Sequence, residues 1–395
     1  MLQDLFDGCL HIDPIEQTTD AVVQAPPPVP TCKGIVAFAD ADDRCISMLT
    51  AANIRRTVVA RLFPAHAEQS GKRSTIAPLV RMIYYQCCYN DFAAALKYLH
   101  TARVLWPDEW RSMMSLPQLW FVKIDLSATW PNFSLTEKMN TAAARKMFGP
   151  FPTRKAAHRY ITALRTAFAL CHRPDLVDSP RKAAACPYLQ MGTCPAPCVG
   201  NIARDTYHQQ IEQAVAAAGG RYGDYAEPMR QEMMSCAADR QFERAALLKK
   251  RIEALGVLTD NDYAWTRDLS ALAILHIDRW ARVAPDGGKR RIQSYAGYLV
   301  VDGQIHCFEP FTTNAIAEFL NAAGGVLRAS GNTGAPNATG ENLALAASFL
   351  YRNNPPGIWI DCSAEESAHK TPPPEDVAAR IQEKFTPVKT AGEGN

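Results

Sequence analysis

Four cysteines, Cys171, Cys186, Cys194 and Cys198, stand in one stretch with fourteen, seven and three residues between them. Prolines punctuate it, in Cys186-Pro187 and in Cys194-Pro195-Ala196-Pro197-Cys198. Proline stiffens the chain and lacks an N–H, which keeps helix from absorbing the thiols. Four sulfurs converging from one loop suit a soft metal: a 4Fe-4S cluster takes four thiolates, and structural zinc takes four tetrahedral ligands. A zinc ribbon more often supplies two short Cys-x2-Cys knuckles, and only one short spacing exists here. The spacing favours an iron-sulfur centre, with zinc as the alternative metal and four buried structural cysteines as the metal-free alternative.

A basic run adjoins this loop. Between Arg145 and Lys182 there are nine Lys/Arg against two acids, Asp175 and Asp178. Arg145, Lys146, Arg154, Lys155, Arg159 and Arg165 are the candidates for phosphate contacts; a solvated helix face is the alternative. The pattern over 142–170 predicts a helix interrupted at Gly149-Pro150-Phe151-Pro152. A second helix is capped by Thr153, with Ala156, Ala157, Tyr160, Ile161, Leu164 and Phe168 on one face. That helix delivers Cys171 to the loop.

Beyond Gly200 the pattern predicts helices over 204–218 and 225–255, the second broken near Asp239-Arg240-Gln241. Met233 and Ala237 before the break, and Phe242, Ala245, Ala246 and Ile252 after it, form apolar stripes. A lone helical hairpin buries too little to be stable. These residues therefore require a partner surface, either the rest of this chain or another hairpin.

The elements that must position these groups belong to an α+β multidomain chain. With 395 residues, 47% hydrophobic and 21% charged, it can bury a large core divided among two or three domains. Residues 1–32 are acidic, then Pro-rich, and read as a disordered arm. Residues 33–134 read as a small α/β unit opening with a hairpin around Asp40-Ala41-Asp42-Asp43. The basic helical and four-cysteine region takes 135–200 and the helical hairpin 201–258. A second α/β unit takes 259–370, with strands over 270–277, 294–301 and 304–308, and 371–395 reads as a flexible tail. No apolar run reaches the ~18 residues of a membrane span, and the N-terminus lacks a basic n-region. The expectation is a cytoplasmic protein without a disulfide scaffold.

The run Phe148-Gly149-Pro150-Phe151-Pro152-Thr153-Arg154, then Phe168 and Cys171, then Cys186-Pro187-Tyr188-Leu189 through Thr193-Cys194-Pro195-Ala196-Pro197-Cys198 resembles the UvrC family, excinuclease subunits of bacterial nucleotide excision repair. The hairpin, with Met233-Met234, Ala237-Ala238 and Phe242-Glu243-Arg244-Ala245-Ala246, is similar to the UVR motif that follows the same cysteines in that family. Residues 33–134 resemble its GIY-YIG nuclease domain in element order, and 269–361 the segment after the hairpin. The resemblance implies a 4Fe-4S cluster on the four cysteines, a UvrB-like helicase partner for the hairpin, and damaged DNA as substrate.

It also implies nuclease centres, and here the residues depart from it. The GIY-YIG chemistry needs two tyrosines, an arginine and a metal-binding glutamate to activate water at a phosphate. Val36, Ser47, Leu49 and Thr57 stand at the positions of the first tyrosine, the second tyrosine, the motif glycine and the arginine, and 92–104 contains no acid. Arg55, Arg56, Tyr84 and Tyr85 are the available substitutes. No counterpart of the family's RNase-H-like and helix-hairpin-helix domains is read. The leading expectation is a DNA- and partner-binding protein without incision chemistry. The alternatives are a divergent endonuclease making one incision and an iron-sulfur redox-responsive DNA-binding module.

Overall fold

The computed structural model describes residues 2–12, 27–62, 76–139, 145–177, 186–284, 289–330, 340–363 and 369–386. Its first sheet is antiparallel, with strands in the order β1 (Gly8–His11), β4 (Met82–Cys87), β2 (Gly34–Ala39), β3 (Cys45–Ala51). Every residue of β2 is buried because both faces of the sheet are covered. Val36 and Phe38 pack with Ile54, Val58 and Leu62 of α1 (Ile54–Leu62). Ile35 and Ala37, on the opposite face by the two-residue strand period, join Phe92, Leu96 and Leu99 of α2 (Asp91–Leu105). The Asn90 side chain caps α2 by accepting the Ala93 N–H at 2.7 Å.

The expected hairpin is present: Asp40 Oδ1 accepts the N–H groups of Asp42 and Arg44, and β2 pairs with β3. The expected disordered arm is corrected over residues 2–12. Leu2 and Phe6 are core residues, and β1 adds an edge strand to β4. The rest of the arm as far as 26 lies outside the described residues. Cys32 and Cys87 form a disulfide that no sequence spacing announces.

After α3 (Trp110–Met113) comes a second sheet in the order β6 (Ser134–Thr136), β5 (Trp120–Asp125), β7 (Arg145–Phe151), β8 (Arg267–Asp268). Two expectations change here. The sequence pattern places the segment around β5 in the first α/β unit, ending at 134, but β5 pairs with β7, so the boundary between sheets falls before β5. Residues 145–151, expected as the first part of an interrupted helix, are strand β7, because Lys123, Ile124 and Asp125 offer a ladder partner that no local pattern reveals. α4 (Arg154–Ala167) starts at the expected cap, where Thr153 Oγ1 accepts the Ala156 N–H at 3.1 Å.

α5 (Pro187–Gln190), α6 (Arg204–Ala216), α7 (Gly223–Ala238) and α8 (Phe242–Val257) follow. The C-terminal end of α8 is anchored: Ala254 and Leu255 share a core with Ala157, Tyr160 and Leu164 of α4. The third sheet has the order β11 (Gln304–Cys307), β10 (Ile292–Val301), β9 (Ala273–Val283), β12 (Ile358–Asp361). α9 (Ile316–Ala329) and α11 (Pro374–Phe385) cover one face. α10 (Gly340–Leu350) and α2 cover the other. The expected flexible tail is corrected as far as residue 386, since Val377 and Ile381 of α11 are core residues.

α2 is the structural joint between the first and third sheets. The ring of Phe92 meets His276, Tyr298, Phe349 and Trp359 at centroid distances of 4.8, 4.9, 5.3 and 5.7 Å. Aromatic edges packed this way contribute beyond plain area burial. The two α/β units expected to be separate therefore share one apolar core.

Candidate metal centre and docking hairpin

α4 ends at Ala167, and Ala169, at φ 50°, turns the chain so that Cys171 enters the interior. The Cys171 N–H donates to Tyr207 Oη at 3.4 Å, which ties the turn to α6. Cys186 stands at the start of α5, ahead of Pro187. Below that turn, the Cys194 N–H donates to the Tyr188 carbonyl at 3.2 Å. Ala196, at φ 54°, brings its own N–H to Cys194 Sγ at 3.4 Å. Cys198 follows in a single 3-10 turn, Pro197–Val199.

Cys171, Cys186 and Cys194 are buried and Cys198 is half-buried. Cys171 hydrogen-bonds to Cys194, which pushes the Cys171 thiol far up and holds Cys194 below the ordinary thiol range. Burial raises Cys198, as do the charges of Cys186 and Cys194. Cys171, Cys186 and Cys194 thus each lie within electrostatic reach of Cys198. Among the described residues no group of three or more His, Cys, Asp or Glu side chains has metal-ligand geometry as it stands. The donor chemistry fits a thiophilic centre: four thiols, one of them held below the ordinary thiol range, with a backbone N–H aimed at its sulfur.

Arg165 adds a charge to this neighbourhood. Its guanidinium donates to Asn132 Oδ1 and to the Phe133 carbonyl, each at 2.9 Å. Burial lowers its pKa, and Cys171 is the first group to offset that cost. His172 stacks on Tyr188 at 4.4 Å, and burial keeps its ring neutral, with Arg165 and Lys250 adding to the effect. Its Nε2 is buried without a hydrogen-bond partner among the described residues.

The basic run is not one surface. Arg159 pairs with Asp260 and Lys146 with Asp268, each at 2.6 Å. Arg165 faces inward, so its expected phosphate contact is corrected to a structural and electrostatic role. Arg154 and Lys155, on the first turn of α4, are exposed with no carboxylate partner among the described residues, and Arg154 lies 5.4 Å over the Trp120 ring. Only the backbone of Arg145 is described, and Arg181 and Lys182 lie outside the described residues.

The hairpin's free end exposes two large apolar side chains among charged ones. Phe242 is 68% exposed and Met234 60%. Ala237 and Ala246 are exposed, while Met233, Ala245 and Ile252 are half-buried. Arg244 bridges to Glu232 at 2.6 Å and braces α8 against α7. Leu247 of α8 lies over the cysteine loop, so close to Gly192 that a Cβ there would sit 3.4 Å from its Cδ1. Gly192, at φ 63°, is fixed by conformation, and Leu247 would meet a side chain there only in ordinary van der Waals contact. Sequence reasoning missed Arg165 and Leu247 as partners of the loop. A basic residue inside a basic run, and a leucine off the apolar stripe, carry no local signal of these roles.

At the positions read as a degenerate nuclease site, Val36 lies in a closed core, opposite Leu49 in the ladder, and Phe38 lies opposite Ser47. Leu49, Ser47 and Thr57 are half-buried. Tyr84 donates to Asp43 Oδ1 at 2.6 Å, and burial raises its pKa. Arg55 and Arg56 are exposed on α1 and pair with no carboxylate among the described residues. Asp91, at the start of α2, pairs with Lys33 at 2.6 Å.

Residues 119–217 match the family model described as UvrC/Cho excinuclease, middle domain. The match begins where the second sheet does. Relatives named UvrABC system protein C include that of Natronomonas pharaonis, 36% identical over 129 residues, 32% of this chain and 21% of the relative. That of Nitratidesulfovibrio vulgaris is 27% identical over 233 residues, 58% of this chain and 33% of the relative. That of Methanothermobacter thermautotrophicus is 25% identical over 260 residues, 65% of this chain and 42% of the relative. The matched segments thus span between 21% and 42% of these relatives. No solved structure matches. No helix among the described residues is long and apolar enough to cross a membrane.

Proposed function

We propose that this chain is a UvrC-like nucleotide excision repair protein that binds damaged DNA and a UvrB-like helicase partner without cutting the strand itself. The observation that carries the reading is the exposure of Phe242 and Met234 at the free end of the α7–α8 hairpin, directly behind a segment matching the UvrC/Cho middle domain. Exposing two large apolar side chains forgoes the ~1.5–3 kcal/mol each would gain on burial. A second protein's apolar groove recovers it.

Cys171, Cys186, Cys194 and Cys198 would hold a 4Fe-4S cluster, with zinc as the alternative metal. When bound, such a group supplies four metal-thiolate bonds that tie α4 to the loop leading into the hairpin. Arg165 compensates the thiolate charge, Tyr207 positions Cys171, and Leu247 transmits the loop's placement to α8. Arg154 and Lys155 supply phosphate contacts on the same unit. The absence of incision rests on Val36, Ser47, Leu49 and Thr57, which supply neither the two tyrosines nor the arginine of GIY-YIG chemistry, and on the lack of an acid over 92–104.

The test uses the full chain with its cognate repair helicase on a damaged duplex in Mg2+. Co-elution with the helicase, lost in Phe242→Ala, and an uncut duplex are expected. Metal-dependent incision abolished by Arg55→Ala would replace this reading with the divergent endonuclease.

A further inference from the structure

β9 and β10 outrun their neighbours in the third sheet. β12 pairs with β9 only over Ile274–Ile277, and β11 pairs with β10 only over Tyr298–Val301. Past those limits, and past a bridge between Tyr295 and Phe311, the two strands hold each other as a ribbon, with Val283 opposite Ile292 and Arg282 opposite Gln293. The root of the ribbon is fixed. A register shift between Gln293 and Tyr295 leaves Trp280 and Ala281 facing Ser294, whose Oγ donates to the Ala281 carbonyl at 2.5 Å. Gln293 Nε2 donates to the Trp280 carbonyl at 2.6 Å, and the Trp280 ring packs edge-on against Tyr89 at 5.1 Å. Arg279 is engaged there as well, donating to the Phe385 carbonyl and lying 5.1 Å over its ring.

Farther out, Arg282 on β9 and Lys289, Arg290 and Arg291, which lead into β10, are all exposed, and none pairs with a carboxylate among the described residues. The sequence from 279 to 291 carries five Lys/Arg against one acid, Asp286, whereas the whole chain carries 42 against 40. Overall composition does not produce that concentration. Cations gathered on one ribbon repel one another, and a polyanion relieves the repulsion while releasing its own counterions. The major groove of B-DNA admits a two-stranded ribbon, and a bulged root adds the twist that lets such a ribbon follow it.

We propose that the β9–β10 ribbon is a second DNA contact, in which Arg282, Lys289, Arg290 and Arg291 bind duplex phosphates on a unit other than the one bearing Arg154 and Lys155. The inference rests on the reading of this chain as a DNA-binding protein. The ribbon orients the duplex against the third sheet and reads no sequence, since phosphate contacts position without specifying.

The experiment measures affinity of the full chain for a fluorescent duplex of arbitrary sequence across a salt series. Arg282, Lys289, Arg290 and Arg291 are replaced together by Ala in one variant and by Gln in another. Separately, Arg154→Ala with Lys155→Ala isolates the α4 surface. Because the four ribbon side chains are exposed, thermal midpoints should be unchanged. The ribbon variants should bind more weakly, with a dependence of log K on log salt shallower by about 0.9 for each phosphate no longer neutralised. Substituting Lys at the three arginines should restore the slope. Wild-type binding with an unchanged slope in both ribbon variants would overturn the ribbon assignment and leave the DNA reading standing. A wild-type chain that ignores duplex at low salt would overturn both. Loss of helicase co-elution with DNA affinity intact would reassign the ribbon to protein docking.

Discussion

Arg165 and Cys171 stand at the two ends of one turn, and the charge of the first lies within reach of the sulfur of the second. A guanidinium removed from water is costly unless an anion accompanies it. Here Cys171 is the first of the groups that offset that cost, and the two hydrogen bonds to Asn132 and Phe133 fix the cation beside the cysteine loop. Arg165→Met should therefore lower the metal content of purified protein, measured by elemental analysis. It should also cost about 2–3 kcal/mol through loss of charge-assisted hydrogen bonds. Arg165→Lys, which keeps the charge without the planar fork, should retain metal better. Full metal occupancy in Arg165→Met would reduce this residue to a loop brace.

The cysteines themselves give a sharper contrast. Cys186→Ser or Cys194→Ser should lose metal and thermal stability together, because binding free energy at such a loop is folding free energy. Cys236, buried between the hairpin helices and away from the loop, should tolerate Ser with its metal intact. Anaerobically purified protein with iron and broad visible absorption supports the cluster; colourless protein with one zinc keeps the site and changes the metal. Metal-free protein of undiminished stability would leave four structural cysteines.

Two phenylalanines separate docking from core. Phe242 is 68% exposed, so Phe242→Ala should leave the thermal midpoint nearly unchanged while abolishing partner association. Phe92 is fully buried at the joint between two sheets, so Phe92→Ala should cost about 3–5 kcal/mol. Chemical denaturation of both variants decides the assignment. A large loss of stability in Phe242→Ala would return the hairpin to ordinary core.

What the sequence made legible was local. Thr153 as a cap and the hairpin turn at Asp40 depend on neighbours a few residues away, and each is present as read. What it concealed was long-range pairing. Gly8–His11 becomes a strand only because β4 lies beside it, and Arg145–Phe151 only because β5 does. α11 carries just two core residues, Val377 and Ile381, one helical turn apart, a signal too sparse to lift it out of a Pro-rich tail. The basic run hid its own partition, since Asp260 and Asp268, which neutralise Arg159 and Lys146, are about a hundred residues away.

Two buried groups in β9 set opposite pH dependences. Burial holds His276 neutral, with its pKa lowered from 6.5 to about 3. The unfolded chain binds that proton first, so this residue removes stability as pH falls below 6.5. Asp278 is buried too, and its pKa is raised from 3.8 to about 6. Its folded form prefers the proton, so this residue contributes stability at low pH and loses it as pH rises from 3.8 through 6. At ~1.36 kcal/mol per unit the Asp278 contribution is about 3 kcal/mol at most. Between pH 4 and 6 the two effects oppose each other, and the wild-type stability curve should be shallow there. Asp278→Asn keeps an oxygen for the Arg279 N–H, now 2.7 Å from the carboxylate, and removes the buried charge. The variant should be more stable than wild type at pH 7, with the advantage shrinking as pH approaches 4. Its stability should fall steadily below pH 6.5, because His276 then acts unopposed. Urea midpoints measured from pH 4 to 8 test this. A variant less stable than wild type at pH 7 would mean that the Asp278 carboxylate makes a stabilising ionic contact in the folded protein.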